Sequence, residues 1–276
     1  MNNLVKRTVF GILYVAVLVT SLVIYTPMFP ALVIIATYLM MSEFFAMSMG
    51  ENYIFAQKMA ILAAVCLFAT FWCHFAFGLP ARWMQVSFLP LLVAMASVLF
   101  DKDREKLHLF AYIFTGLLYA GIPAALLPVI VFKDGEFSGW LLLSFFIIIW
   151  CSDVGAYCLG SLFGQRPGAK KLAPSISPKK SWIGVWSGLA FAIGAAFVLK
   201  ALGWIDFGIA HTIAFGLVVS AAGVVGDLFE SVWKRYFHVK DSGNAIPGHG
   251  GMLDRFDSSL FAIPAGTLYL AVFNLL

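Results

Sequence analysis

Ser231-Val-Trp-Lys-Arg-Tyr-Phe-His-Val-Lys-Asp-Ser-Gly-Asn-Ala-Ile-Pro-Gly-His-Gly-Gly-Met-Leu-Asp-Arg-Phe-Asp257 is a polar island in a chain that is otherwise nearly all hydrocarbon. It joins two apolar runs, 209–235 and 253–275, each long enough to cross a bilayer core of ~30 Å at about 1.5 Å per residue. Reading outward, runs of this kind recur at 8–26, 29–50, 55–77, 83–100, 108–132, 139–162 and 182–202, giving nine in all. The splits at Pro27–Pro30 and after Gly78-Leu-Pro80 are drawn from proline and glycine punctuation. The expected fold class is an all-α polytopic membrane protein with about nine transmembrane helices.

Composition agrees. Of 276 residues, 62% are hydrophobic and 12% charged, with a mean hydropathy of +0.92. A soluble domain averages about 25% charged residues, so little soluble mass is expected. The first run lacks an A-x-A-like cleavage site and is long enough to span, which favours a retained helix over a signal peptide. Cys66, Cys73, Cys151 and Cys158 lie inside apolar runs without a CxxC pair and are expected to pack as small buried thiols.

With the N-terminus in the cytoplasm, Lys6, Arg7, Lys58, Lys102, Arg104, Lys106, Arg166, Lys170, Lys171, Lys179, Lys180, Lys234, Arg235, Lys240 and Arg255 gather on the cytoplasmic side. Arg82, Lys133 and Lys200 remain opposite. This positive-inside asymmetry predicts a cytoplasmic N-terminus and an outside C-terminus. The chain divides into N-terminal scaffold helices, 1–106, also a candidate dimer surface, and a catalytic region, 107–276. The latter carries two cytoplasmic loops, 165–181 and 237–252.

Charge at the mouth of a membrane bundle is costly and is rarely kept without a role. In the eighth run Asp227, Glu230, Ser231 and Lys234 fall at i, i+3, i+4 and i+7, on one helical face. In the ninth, Asp254, Asp257 and Ser258 fall at i, i+3 and i+4; the sixth adds Asp153. Carboxylates without matching His or Cys geometry point to Mg²⁺ rather than Zn²⁺. Taken singly, Glu230–Lys234 reads equally well as an ordinary i,i+4 pair, and Asp254 as an acid favoured in a first helical turn. The glycines of Pro247-Gly-His-Gly-Gly251 free backbone N–H groups to face an anion, and with the flanking cations the segment reads as a phosphate cradle. The Lys170-Lys171…Lys179-Lys180 loop suits either a lipid-headgroup anchor or a phosphate clamp, with Pro174 and Pro178 favouring an ordered turn. Glu43 is an intramembrane acid with no local partner in the sequence, and it either lines a cavity or reaches water at a span end. His74, His108 and His211 read as interfacial or packing residues.

These residues closely resemble the signature of the phosphatidate cytidylyltransferases, also called CDP-diacylglycerol synthases. Ser231, Lys234, Arg235, Lys240, Asp241, Gly243, Ile246, Pro247, His249, Gly250, Gly251, Asp254, Arg255 and Asp257 stand in register with it. The resemblance extends to Gly226-Asp227-Leu-Phe-Glu-Ser231, Ser177-Pro178-Lys179-Lys180-Ser181 and Asp153-Val-Gly-Ala-Tyr157, and is carried by hydropathy alone in the first hundred or so residues. Trp233, Val154, Ser161 and Ile183 depart from the usual pattern.

The resemblance implies transfer of CMP from CTP to phosphatidate, giving CDP-diacylglycerol and pyrophosphate for phospholipid synthesis; the compact length and the absence of targeting extensions make a bacterial inner membrane the expected location. It assigns the metal chiefly to Asp227 and Asp254, with Asp153, Glu230 and Asp257 as further ligands or neighbours, and allows a second cation such as K⁺ beside Mg²⁺. It gives catalytic roles to Asp227, Asp254, Lys234, Arg235 and His249. Substrate contacts fall to Lys179, Lys180, Ser181, Ser231, Lys240, Asp241, Gly250, Gly251 and Arg255, and a homodimer is implied. The alternatives are a CTP-dependent lipid kinase or other membrane phosphotransferase, and, from a different class, an ion-coupled transporter. The transporter reading is weakened by the absence of a visible internal repeat.

Overall fold

A computed structural model describes residues 3–101, 105–246 and 250–276. In chain order the first helices are α1 (Asn3–Val19), continued by a π-helical turn at Thr20–Ile24, then α2 (Met28–Ser48), α3 (Ile54–Phe77) and α4 (Phe88–Ser97). α5 (Ala111–Gly116) and α6 (Ile122–Val131) are joined by a π-helical turn at Leu117–Gly121. A short hairpin, β1 (Phe132–Lys133) and β2 (Glu136–Phe137), precedes α7 (Trp140–Leu162). A second hairpin, β3 (Lys171–Ala173) and β4 (Ser177–Ser181), leads into α8 (Trp182–Ala201), α9 (Ile209–Tyr236), α10 (Leu253–Phe256) and α11 (Ser259–Val272).

Seven stretches among the described residues are long and apolar enough to cross a membrane: 28–48, 54–77, 81–100, 107–131, 140–162, 182–201 and 209–236. Each overlies one of the expected runs. The chain is an integral membrane protein. The first expected run forms the shorter apolar helix Thr8–Ile24. Gly78, at φ +68°, closes α3 in the left-handed conformation, its N–H reaching the carbonyl of His74. Pro30 stands in the first turn of α2, where a missing N–H loses no helical bond.

The ninth run differs from expectation. α10 ends at Phe256 and α11 begins only at Ser259, so 253–275 is not one continuous helix and Asp254, Asp257 and Ser258 do not share a helical face. The physical reason is local. The Asp257 carboxylate accepts the N–H of Ser258 at 2.6 Å, competing with helical bonding as short acidic side chains do. The helix restarts with Ala262 N–H donating to the Ser258 carbonyl.

The chain forms two compact units. One comprises Met1–Ser138 with Phe237–Phe256, and the other Gly139–Tyr236 with Asp257–Leu276. The first is packed by aromatic side chains such as Phe29, Trp72, Phe132 and Phe137, and its 237–256 segment is tied in by edge-on ring contacts, Tyr112 to Phe237 and Tyr14 to Phe256.

The second unit is packed by small residues. A Cβ on Gly160 of α7 would stand 3.3 Å from Gly184 Cα of α8, and one on Gly188 would meet the Ser152 carbonyl at 3.0 Å. Between α7 and α9, Ser152 Oγ and Ser220 Oγ are 2.6 Å apart. Lipid offers no hydrophobic drive between helices, so close backbone approach and interhelical hydrogen bonds hold such a bundle together.

Candidate active site

In the second unit, α7, α8, α9 and the β3–β4 hairpin surround a cavity of about 580 Å³. Asp153 from α7, Asp227 from α9, and Lys179, Lys180 and Ser181 from β4 line it. The hairpin is ordered by its own chemistry. Pro174 sits in the tight turn closed by the Ile176 N–H to Ala173 carbonyl bond. Lys171 Nζ donates to the Gly164 carbonyl at 2.9 Å, and Gln165 Nε2 donates to the Lys179 carbonyl at 2.7 Å. Lys171 is therefore occupied in fastening the loop, whereas Lys179 and Lys180 face the cavity. Ser181 caps α8: its Oγ accepts the Gly184 N–H at 3.2 Å.

Lys180 Nζ lies 2.5 Å from Asp227 Oδ2, and the Ser231 hydroxyl donates to Asp227 Oδ1 at 3.5 Å. Asp153 and Asp257 are both close enough to feel the Asp227 charge, and Asp257 also feels Lys234. One turn along α9 from Asp227, Glu230 is fully buried, with Lys234 Nζ 2.5 Å from its Oε2. Thus the face expected from Asp227, Glu230, Ser231 and Lys234 is formed, but only Asp227 opens into the cavity. Glu230 is held by Lys234 inside the protein. Gly226 lets the Asp257 backbone approach: a Cβ there would stand 2.5 Å from the Asp257 carbonyl oxygen.

The signature segment in the first unit is built around Asp254. Its Oδ2 accepts the N–H of Gly251 at 2.8 Å, the N–H of Ser242 at 2.9 Å and the Ser242 hydroxyl at 2.9 Å. Gly250 has φ +84°, a conformation that side chains resist, and a Cβ there would meet Asp254 Oδ2 at 2.7 Å. Arg235 in the second unit, and Lys240, Asp241 and Arg255 in the first, are exposed. His249, with Pro247 and Gly248, lies outside the described residues.

One structural feature was not read from the sequence. Glu43 of α2 binds this segment, accepting the N–H of Met252 at 2.9 Å and of Leu253 at 2.8 Å. The available signal was an acid inside an apolar helix, which must find partners somewhere in the fold. His74 and His211, by contrast, pack as expected, against the Leu79 carbonyl and the Tyr269 hydroxyl.

The profile of the cytidylyltransferase family matches residues 5–273, almost the whole chain. The chain belongs to that family. Among relatives of this cytidylyltransferase, the phosphatidate cytidylyltransferase of Staphylococcus aureus (strain COL) is 38% identical over 190 residues, covering 66% of this chain and 69% of that protein. The phosphatidate cytidylyltransferase of Rickettsia bellii (strain RML369-C) is 32% identical over 199 residues, covering 68% and 82%. Membership makes the chain a nucleotidyltransferase and matches the cavity's mixture of lysines and carboxylates, which suits a phosphate-rich substrate.

Proposed function

We propose that this cytidylyltransferase transfers the cytidylyl group of CTP to phosphatidate, releasing pyrophosphate and forming CDP-diacylglycerol, at the cytoplasmic face of a bacterial inner membrane. The observation that carries the reading is the convergence of Asp153, Asp227, Lys179 and Lys180 on one cavity among apolar helices. A transporter would spread its acids along a path through the membrane; here they share a cavity with lysines of an ordered loop.

The nucleophile is a phosphate oxygen already ionised near neutral pH, so no strong base is required. That oxygen attacks the α-phosphorus of CTP, and the bond from this phosphorus to the β-bridging oxygen breaks, its electron pair leaving with pyrophosphate. The difficulty is bringing two anions together in line, which makes positioning and charge neutralisation the main contributions. Lys179 and Lys180 supply positive charge, and Lys180 exchanges its Asp227 partner for a substrate phosphate. Arg235, exposed in the same unit, adds a further cation, while Lys234 is committed to Glu230 and the Gly251 amide to Asp254. For His249 the resemblance favours a phosphate hydrogen bond over removal of a proton.

Among the described residues no three His, Cys, Asp or Glu side chains converge to hold a metal by themselves. The donor set nevertheless fits Mg²⁺, which takes one or two carboxylates together with water and substrate phosphates rather than an all-protein cage. We assign it to Asp227 with Asp153, with Asp257 nearby; when bound, it supplies a Lewis acid that neutralises phosphate charge. Asp227→Asn is expected to fold and to lose transfer. A variant with full activity would remove Asp227 from this role.

A further inference from the structure

Glu43 stands far from the signature in sequence, yet its two carboxylate oxygens divide between two neighbouring amides. Oε1 accepts from Met252 and Oε2 from Leu253, immediately after the Gly250-Gly251 pair and immediately before Asp254. Ser242 Oγ lies between the two acids, 3.3 Å from Glu43 Oε2 and 2.9 Å from Asp254 Oδ2. Its single proton serves one of them at a time. Two glycines of the segment make room for this arrangement. A Cβ on Gly243 would stand 2.7 Å from Glu43 Oε1 and 2.8 Å from its Cδ, and one on Gly251 would overlap both the Glu43 carboxylate and Ser242 Oγ.

We propose that Glu43 is a positioning residue for the reaction: a bidentate staple from α2 that fixes the backbone at Met252–Leu253. It thereby holds the Gly250–Gly251 backbone and the Asp254 carboxylate that accepts the Gly251 N–H. The catalytic consequence rests on the function proposed above; the staple itself does not. A glycine-rich segment has many backbone states to lose, and fixing it before substrate arrives removes that cost from the transition state. A carboxamide does not replace the carboxylate, because its NH₂ faces one of the two N–H donors. Aspartate is one carbon–carbon bond, about 1.5 Å, too short to reach both.

The test uses the full chain purified in detergent, with Glu43→Gln, Glu43→Ala, Gly243→Ala and the double variant Glu43→Ala/Gly243→Ala. Amide hydrogen exchange is followed in peptides spanning 250–256, alongside kcat and KM for CTP. Glu43→Gln should raise exchange at Met252 and Leu253 and lower kcat by roughly 10- to 100-fold, with a smaller change in KM. Gly243→Ala should do the same by displacing the carboxylate, and should add less than about twofold in the Glu43→Ala background, since the two act on one contact. Unchanged exchange in Glu43→Gln would overturn the proposal. So would a Gly243→Ala loss of the same factor in both backgrounds. Should Glu43→Ala fail to fold, Glu43→Gln and Gly243→Ala still decide through exchange. A wild-type protein without cytidylyl transfer would refute the functional reading, while exchange would still decide the staple.

Discussion

Two ion pairs in the second unit have the same length and should have very different energetic consequences. Lys180–Asp227 and Lys234–Glu230 are both 2.5 Å. The side chains of the first are 26% and 34% accessible, those of the second 13% and 0%. A pair this open contributes on the order of 1 kcal/mol or less, because water screens each charge and rehydrates the survivor. Removing the cation from a fully buried carboxylate costs about 3–5 kcal/mol, because that charge has no water to return to. Methionine preserves the apolar stem of lysine, so packing is nearly constant in the comparison. At about 2–4 °C per kcal/mol, Lys234→Met should lower the melting temperature by roughly 6–20 °C and Lys180→Met by no more than about 4 °C. Thermal unfolding in detergent, followed by tryptophan fluorescence, measures both. Adding Glu230→Gln to Lys234→Met should restore most of the lost stability by removing the stranded charge. A Lys234→Met protein that melts within about 2 °C of the wild type would refute the reasoning, since burial of Glu230 would then not determine the cost.

Other outcomes follow from the same geometry. Ser181→Ala removes the side-chain cap of α8 and should cost about 1 kcal/mol, read as a small fall in melting temperature. Gly226→Ala places a Cβ against the Asp257 carbonyl; overpacking of about 1–3 kcal/mol, only partly offset by up to about 1 kcal/mol of helix propensity, should destabilise the protein and reduce transfer together. Chelation should abolish transfer and Mg²⁺ should restore it. Mg²⁺ at about 100 times its Kd should stabilise the wild type by about 2.7 kcal/mol, and Asp227→Asn by much less, as measured by the melting shift.

The helices were legible because apolar length alone identifies a span, and because Gly78 and the prolines at 27 and 30 mark breaks by backbone chemistry rather than by tertiary context. The ninth run was misread for the opposite reason. Its hydropathy continues across Asp257 and Ser258, but one side-chain-to-backbone bond interrupts the helix there. The basic loop was legible as an ordered turn, whereas its lysines were not distinguishable: Lys171 and Lys180 occur in identical Lys-Lys pairs, and only the fold gives one a carbonyl and the other a carboxylate. Glu230 and Asp227 share a helical face, yet packing buries the first and leaves the second in the cavity. Glu43 was legible as an anomaly without an explanation, since its partners lie 199 to 210 residues away.

The most direct test supplies the detergent-purified protein with CTP labelled in its cytidine, with Mg²⁺, and with or without phosphatidate. The account predicts pyrophosphate release that requires both phosphatidate and Mg²⁺, with the label passing into the lipid phase, and neither event in Asp227→Asn. CDP appearing in the aqueous phase with a phosphorylated lipid alcohol, or label that never enters lipid, would contradict it.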